Sequence, residues 1–135
     1  MNIAIDTNLV VSSTFKLDTT PAKLLAAWRM KRFTWVTCPW QLDELADALV
    51  RPHVVARSVG GLAAAQNVLQ ALRSNATSVA LREPWPGVCR DPDDDFLFAL
   101  YDQGHVNTIV SGDKDVLALR PRYPVLTARE LIERL

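Results

Sequence analysis

Residues 33–51 read FTWVTCPWQLDELADALVR, a short apolar run followed at once by an amphipathic one. The run 33–38 predicts a buried strand, and Pro39 suits the first turn of a helix. Apolar residues in that helix recur at the i, i+3, i+4, i+7 and i+8 positions that share one face, and they are Leu42, Leu45, Ala46, Leu49 and Val50. Pro52 ends the helix. The stretch therefore predicts a strand followed directly by a helix.

The same alternation continues on both sides of this unit. Further strands are predicted at residues 2–5, 77–81, 108–110 and 123–126, and further helices at about 20–31, 62–72, 92–103, 115–119 and 128–135. Thr127 and Glu130 form a capping box for the last helix. Short connections between strands and helices imply right-handed crossovers and a sheet covered on both faces. We expect a single α/β/α sandwich domain over residues 1–135, with a central, mostly parallel, Rossmann-like sheet.

The composition fits one globular domain without a charge bias. The chain has 135 residues, 49% of them hydrophobic, and Lys plus Arg and Asp plus Glu each number 15. This balance neither demands nor excludes a nucleic-acid partner. No apolar stretch approaches the roughly 20 residues that span a bilayer, and the N-terminus lacks a signal-peptide pattern. We therefore expect a cytoplasmic protein with no membrane partner.

Several common kinds of site are missing from the sequence. Neither a Gly-x-x-x-x-Gly-Lys nor a Gly-x-Gly-x-x-Gly pattern occurs, which argues against a kinase, a GTPase or a dehydrogenase. Cys38 and Cys89 have neither metal-type nor redox spacing, and His53 and His105 stand far apart in sequence. We assign no chemistry to these four side chains.

Four aspartates crowd five positions directly before the apolar run 96–101, and they are Asp91, Asp93, Asp94 and Asp95. Like charges this close raise one another's pKa and oppose compact structure unless a cation shares them. A bound divalent metal explains the crowding. The alternative is helix capping, because Asp91 is a good N-cap and Pro92 suits the first helical position. Capping accounts for only one or two of the four acids.

Two further carboxylates follow predicted strands. Asp6 comes directly after the strand 2–5, and Asp113 follows the strand 108–110. Ligands of open parallel sheets bind beyond the carboxyl ends of the strands, where the strand order reverses. If the first and fourth strands are neighbours there, both acids face one cleft beside the Asp-rich turn. A strand-end carboxylate is also a common turn former or helix cap, so it is the convergence that favours a metal site.

Four motifs follow one another along nearly the whole chain. They are Ile5-Asp6-Thr7-Asn8, Leu42-x-Glu44-Leu45, the segment from Arg90 to Leu97, and the segment from Ile109 to Asp115. In order and spacing they resemble PIN-domain nucleases, in particular the branch related to VapC-type toxins of bacterial toxin–antitoxin pairs. The resemblance implies a PIN-like fold of the Rossmann-like kind.

The resemblance also implies a catalytic acidic quartet that holds Mg²⁺ or Mn²⁺. Its members are Asp6, Glu44, one aspartate of the cluster, and Asp113, with polar support from Asn8 and Ser111. Periodicity alone places Glu44 on the solvated side of its helix. Its assignment therefore rests on the resemblance.

The aspartate cluster offers more acids than the quartet needs. We choose Asp94, because Leu97 and Phe98 follow it at the helical i+3 and i+4 spacing. The other members stay alternates, and they are Asp91, Asp93 and Asp95.

Hydrolysis of an RNA phosphodiester by metal-activated water is the reaction that these acids and the resemblance predict. RNA as substrate, a small antitoxin as partner and a homodimer follow from the resemblance alone. Basic groups should rim a cleft that admits RNA, and Arg82, Arg90 and Lys114 lie near the motifs. Trp85 could stack on an unpaired base, although a loop tryptophan commonly packs on its own fold.

Three other functions fit the sequence less well. An aspartyl-phosphate phosphatase would use Asp6 but needs a second Asp two positions on, where Asn8 stands. A receiver domain carries its phosphoacceptor Asp after the third strand, and here Arg82 follows that strand. A PIN fold that binds RNA or a protein without cutting is the remaining alternative, and the presence of every expected acid argues against it.

Overall fold

Five short parallel strands form one sheet in a computed structural model that describes residues 1–135. They are β1 (Asn2–Ile5), β2 (Thr34–Thr37), β3 (Thr77–Ser78), β4 (Thr108–Val110) and β5 (Val125–Leu126). Their order across the sheet is β3-β2-β1-β4-β5. The chain builds one side of the sheet from β1 outward and then returns to build the other from β4. The first and fourth strands are neighbours, which is the condition for Asp6 and Asp113 to face one cleft.

Eight α-helices connect these strands. They are α1 (Thr7–Ser12), α2 (Thr20–Arg29), α3 (Pro39–Ala48), α4 (Pro52–Arg57), α5 (Gly61–Asn75), α6 (Asp95–Asp102), α7 (Lys114–Leu117) and α8 (Ala128–Arg134). A 3₁₀ helix, Pro92–Asp94, leads directly into α6. None of the helices combines the length and the apolar character that crossing a bilayer requires.

Apolar side chains cover both faces of the sheet. Along β1, Ile3 and Ile5 belong to one buried cluster and Ala4 belongs to another, because successive side chains of a strand point to opposite faces. The first cluster includes residues of α1, α2, α3, α5 and α8, and the second includes residues of α6 and α7. The α/β/α sandwich with a parallel sheet is confirmed.

Two helices of the structure were not predicted from the sequence. α1 begins directly after Asp6, whose carboxylate accepts a hydrogen bond from the Asn8 N–H at 3.0 Å and so caps the helix. Its residues Val10 and Val11 are β-branched and favour strand by propensity, which obscures a helix this short. α4 begins at Pro52, which the sequence marks only as the end of the preceding helix.

Several predicted elements are longer than the observed ones. α3 ends at Ala48 rather than at residue 51, and β3 has two residues instead of the predicted 77–81. β5 begins after Pro124, which has no N–H to donate to the sheet. The predicted caps are confirmed, since Asp91 caps the 3₁₀ helix and Thr127 forms the capping box of α8.

The buried face of α3 differs from the predicted one. It contains Gln41, Leu45 and Ala48, whereas the predicted core residue Val50 is 46% exposed. The Gln41 amide nitrogen donates to the Ile5 carbonyl oxygen at 2.5 Å, and its amide oxygen accepts from the Thr37 hydroxyl at 2.7 Å. These hydrogen bonds tie α3 to the carboxyl ends of β1 and β2 and set the rotation of the helix.

Replacing Gln41 with Met should destabilise the fold, because Met has a similar size but leaves two buried polar groups without this partner. We expect the free energy of unfolding, measured by urea denaturation, to fall by about 1–3 kcal/mol. The control is Gln70→Met on the exposed side of α5, which should stay within about 0.5 kcal/mol of the parent. Equal losses in the two variants would contradict a role for Gln41 in holding α3.

Candidate metal centre

Three carboxylates from distant parts of the sequence meet where the strand order reverses. One oxygen from each of Asp6, Asp94 and Asp113 lies within 4.8 Å of the others. Asp6 follows β1, Asp113 precedes α7 as its N-cap, and Asp94 closes the 3₁₀ helix before α6. All three acids are among the metal ligands predicted from the sequence, and the fold brings them together.

Ser111 links two of these acids. Its hydroxyl donates to Asp6 Oδ2 at 2.6 Å and accepts from the Asp113 N–H at 3.0 Å. The Asp113 carboxylate in turn accepts from the Asp115 N–H at 2.7 Å, which caps α7. Ser111 is fully buried, so this chain of hydrogen bonds fixes the ends of β1 and β4 relative to each other.

Asp94 is the most perturbed of the three acids. It is only 7% exposed, and its side chain accepts no capping hydrogen bond from α6. Burial, followed by the negative charges of neighbouring acids with Asp6 first, raises the pKa of Asp94 from 3.8 to about 7. A buried carboxyl in this setting is stabilised by protonation or by a nearby cation.

Asp6 shows the same effect more weakly. Burial raises its pKa, and hydrogen bonds from Ser111 and Asn8 partly oppose that rise. The ion pairs of the chain join Lys23 to Asp18, Arg51 to Asp47 and Arg120 to Glu130, so no protein cation neutralises the cluster. Oxygen donors with unbalanced negative charge are what a hard divalent cation prefers.

Glu44 lies beside the three-acid cluster rather than within it. It is half-buried, and burial followed by the charges of Asp93 and Asp6 raises its pKa, which the Thr7 hydroxyl opposes. Glu44 is therefore less exposed to solvent than helical periodicity alone predicts. Because the Gln41 side chain is buried, Glu44, which follows it by three positions on the helix, lies toward the cleft.

The alternates in the aspartate cluster have different surroundings. Asp91 is exposed and caps the 3₁₀ helix by accepting from the Asp93 N–H at 3.0 Å. Asp93 is exposed and lines a cavity together with Glu44. Asp95 is buried, and its carboxylate accepts from the backbone N–H groups of Gly87, Val88 and Cys89 at 2.8, 3.1 and 3.4 Å. The structure thus gives Asp95 a role in holding the preceding loop.

The polar residues proposed around the site differ in where the structure places them. Asn8 is exposed and, with Asp6 and Asp113, lines a cavity of about 250 Å³. Arg90 and Lys114 are exposed next to Asp91 and Asp113 in sequence. The Arg82 N–H donates to the Gln103 side-chain oxygen, and the Gln103 side-chain nitrogen donates to the Arg82 carbonyl oxygen. Arg82 therefore lies at the end of α6 that is far from Asp94. Whether these cations rim an RNA path remains a prediction.

Sequence reasoning missed Gln41 and Thr7. The Gln41 amide nitrogen also lies 3.4 Å from the Thr7 hydroxyl, and Thr7 interacts with Glu44, so these two buried side chains connect α3 to the residue after Asp6. The sequence does indicate the role of Gln41, because Gln41 lies four residues before Leu45 and therefore on the predicted buried face of the helix. A polar residue at such a position indicates a partner inside the fold.

Asp94→Asn should stabilise the metal-free protein and remove its response to Mg²⁺. Because the pKa of Asp94 rises from 3.8 to about 7 on folding, the stability of the parent falls as pH increases through that interval. In EDTA at pH 8 the variant should unfold at a higher temperature, by about 3–5 °C for each kcal/mol of repulsion removed. This advantage should shrink toward pH 4. Added Mg²⁺ should stabilise the parent more at pH 8 than at pH 5, as calorimetry can measure.

Asp95→Asn is the matched control for this experiment. It removes one charge and one acceptor from the loop N–H groups, so its unfolding temperature should fall at both pH values while its Mg²⁺ response stays intact. A response to Mg²⁺ that is lost in Asp95→Asn and kept in Asp94→Asn would reverse the assignment.

Comparison with known families agrees with this geometry. A family model described as a PIN domain matches residues 2–115. No curated protein and no solved structure matches the chain. PIN domains are generally metal-dependent nucleases, and the three clustered carboxylates form a donor set that fits a divalent cation. The match runs from β1 into α7 and includes Asp6, Glu44, Asp94 and Asp113, so the chain belongs to the PIN-domain family.

Proposed function

We propose that this protein is a metal-dependent endoribonuclease that hydrolyses RNA phosphodiester bonds. The observation that carries the proposal is the meeting of Asp6, Asp94 and Asp113 within 4.8 Å at the reversal of the sheet. Membership in the PIN-domain family supports nuclease chemistry in general. RNA as substrate is supported by the likeness of the four motifs to VapC-type toxins.

Mg²⁺ or Mn²⁺ would be held by Asp6, Asp94 and Asp113, with Glu44 at the edge of the same cleft. When bound, such an ion lowers the pKa of a coordinated water and offsets negative charge on the phosphoryl oxygens. The carboxylates supply only oxygen donors, which suits a hard ion. The raised pKa values of Asp6 and Asp94 mean that cation binding competes with protons, so activity should increase from acid toward neutral pH.

The surrounding residues hold these donors in place. The Ser111 hydroxyl is engaged on both sides, by Asp6 and by the Asp113 N–H, which suits a positioning residue rather than a nucleophile. Glu44 lies on α3, and Gln41 attaches this helix to the end of β1 through its hydrogen bond to the Ile5 carbonyl oxygen. No side chain has to form a covalent intermediate, because water serves as the attacking group.

Cleavage of single-stranded RNA by the purified protein should require a divalent metal and all three acids. EDTA should abolish the reaction, and Asp6→Asn, Asp94→Asn and Asp113→Asn should each reduce kcat/KM by more than about 100-fold, whereas Ser111→Ala should cost about 10-fold to 100-fold, as losses around metal ligands do. The asparagines keep the size of each side chain and the cap of α7.

The control for charge alone is Asp18→Asn, whose side chain is 98% exposed and pairs only with Lys23. It should cleave RNA at the parental rate. Cleavage that persists undiminished in EDTA, or in the Asp6 and Asp113 variants, would refute the metal-dependent mechanism.

The finer part of the proposal is that the protein is the toxin of a toxin–antitoxin pair, neutralised by a small antitoxin and active as a homodimer. The likeness of the motifs to VapC-type toxins supports it. Induced expression in a bacterial host should arrest growth, and Asp113→Asn at the same expression level should not, because the loss of a donor removes RNA cleavage. Equal arrest by both proteins would contradict a toxin that acts through this site.

A further inference from the structure

We propose that Trp40 and the cavity behind it bind one unpaired nucleobase of the RNA, next to the phosphate at the acidic cluster. The inference rests on the proposed function, and it adds a base-binding subsite to it. The cavity measures about 200 Å³ and is lined by Cys38, Pro39, Trp40, Ala80, Leu81 and Trp85.

This cavity opens at the same edge of the sheet as the acids. Cys38 and Pro39 follow the carboxyl end of β2, which pairs with β1, and Asp6 follows the carboxyl end of β1. The Trp40 indole N–H donates to the Asp93 carbonyl oxygen at 3.4 Å. Trp40 also lines the cavity that holds Glu44 and Asp93. One indole therefore borders both the apolar cavity and the cavity that Glu44 and Asp93 line, and Asp93 directly precedes Asp94.

Two tryptophan rings lie side by side at this cavity, and Trp40 is the more exposed of the two. Trp40 is 44% exposed, although it is a large apolar side chain. Trp85 packs against it edge to face, with ring centroids 5.7 Å apart and an angle of 86°. Sequence reasoning offered Trp85 as the stacking residue, whereas the structure makes Trp85 the support and Trp40 the exposed ring.

A nucleobase matches the remaining features of this cavity. Five of its six lining residues are hydrophobic, and base stacking on an aromatic ring needs no particular sequence. Trp85 also carries a buried indole N–H that has no acceptor in the protein. A base that enters the cavity would bring an apolar face together with carbonyl and ring-nitrogen acceptors at its edge.

A contact with a base would add to the affinity that charge supplies. The three acids repel phosphate until a cation lies between them, and the chain as a whole has equal numbers of acidic and basic residues. Counterion release by basic side chains contributes to nucleic-acid binding in general. A stacked base adds affinity that does not depend on a net positive charge.

The test is binding of a labelled single-stranded RNA of about eight nucleotides, measured by fluorescence polarisation with Mg²⁺ present. All proteins carry Asp113→Asn so that the RNA stays intact. Trp40→Leu keeps an apolar side chain but no ring, and it should raise Kd by about 5-fold to 150-fold. Trp40→Phe keeps a ring and should retain most of the affinity. Leu62→Ala is the control, because Leu62 is similarly exposed, at 46%, on α5.

Abasic substitution along the RNA makes the test specific. One position should exist at which removal of the base weakens binding to the parent as much as Trp40→Leu does, and weakens binding to Trp40→Leu no further. Equal Kd values for Trp40→Leu and its parent would overturn the inference and leave the cavity to a protein partner, while the proposed function stood. Metal-independent cleavage would instead overturn the proposed function, and the abasic series would still test the base contact.

Discussion

Parallel pairing of β1 with β4 is the constraint on which the site depends. It aligns Ile5 with Val110, so the residues that follow the two strands emerge at one edge of the sheet although more than a hundred positions separate them in sequence. Ser111 then fixes their distance, because its hydroxyl bonds to Asp6 on one strand end and to the Asp113 N–H on the other. The register between β1 and β4 therefore determines where the carboxylates of Asp6 and Asp113 lie.

Holding these carboxylates together costs folding free energy. The pKa of Asp94 and of Asp6 is raised chiefly by burial, which means that the folded chain favours their neutral forms. The fold offsets this electrostatic cost through the surrounding clusters of apolar side chains and through the hydrogen bonds of Ser111 and Gln41. A cation at the site would remove the repulsion, so metal binding and folding stability are linked.

The parts of the site that were predictable are those set by local sequence. Asp6 directly follows one apolar run, and Asp113 follows another after Ser111 and Gly112, so both carboxylates could be placed at strand ends without knowledge of the fold. Glu44 and Trp40 were different, because their directions depend on how α3 rotates about its axis. That rotation is set by the bonds of Gln41 to Ile5 and Thr37, which are tertiary and polar, whereas the pattern used to orient the helix counts only apolar residues.

α3 brings the catalytic and the aromatic parts of the proposed site together. Trp40, Gln41 and Glu44 lie within its first two turns, so one helix carries the exposed ring, the anchor and the fourth acid. Because the anchor lies between the other two, a shift of the helix would displace the ring and the acid in the same direction. The helix itself then sets the spacing of Trp40 and Glu44, so under the proposed function the base contact and the edge of the acidic cleft would move together.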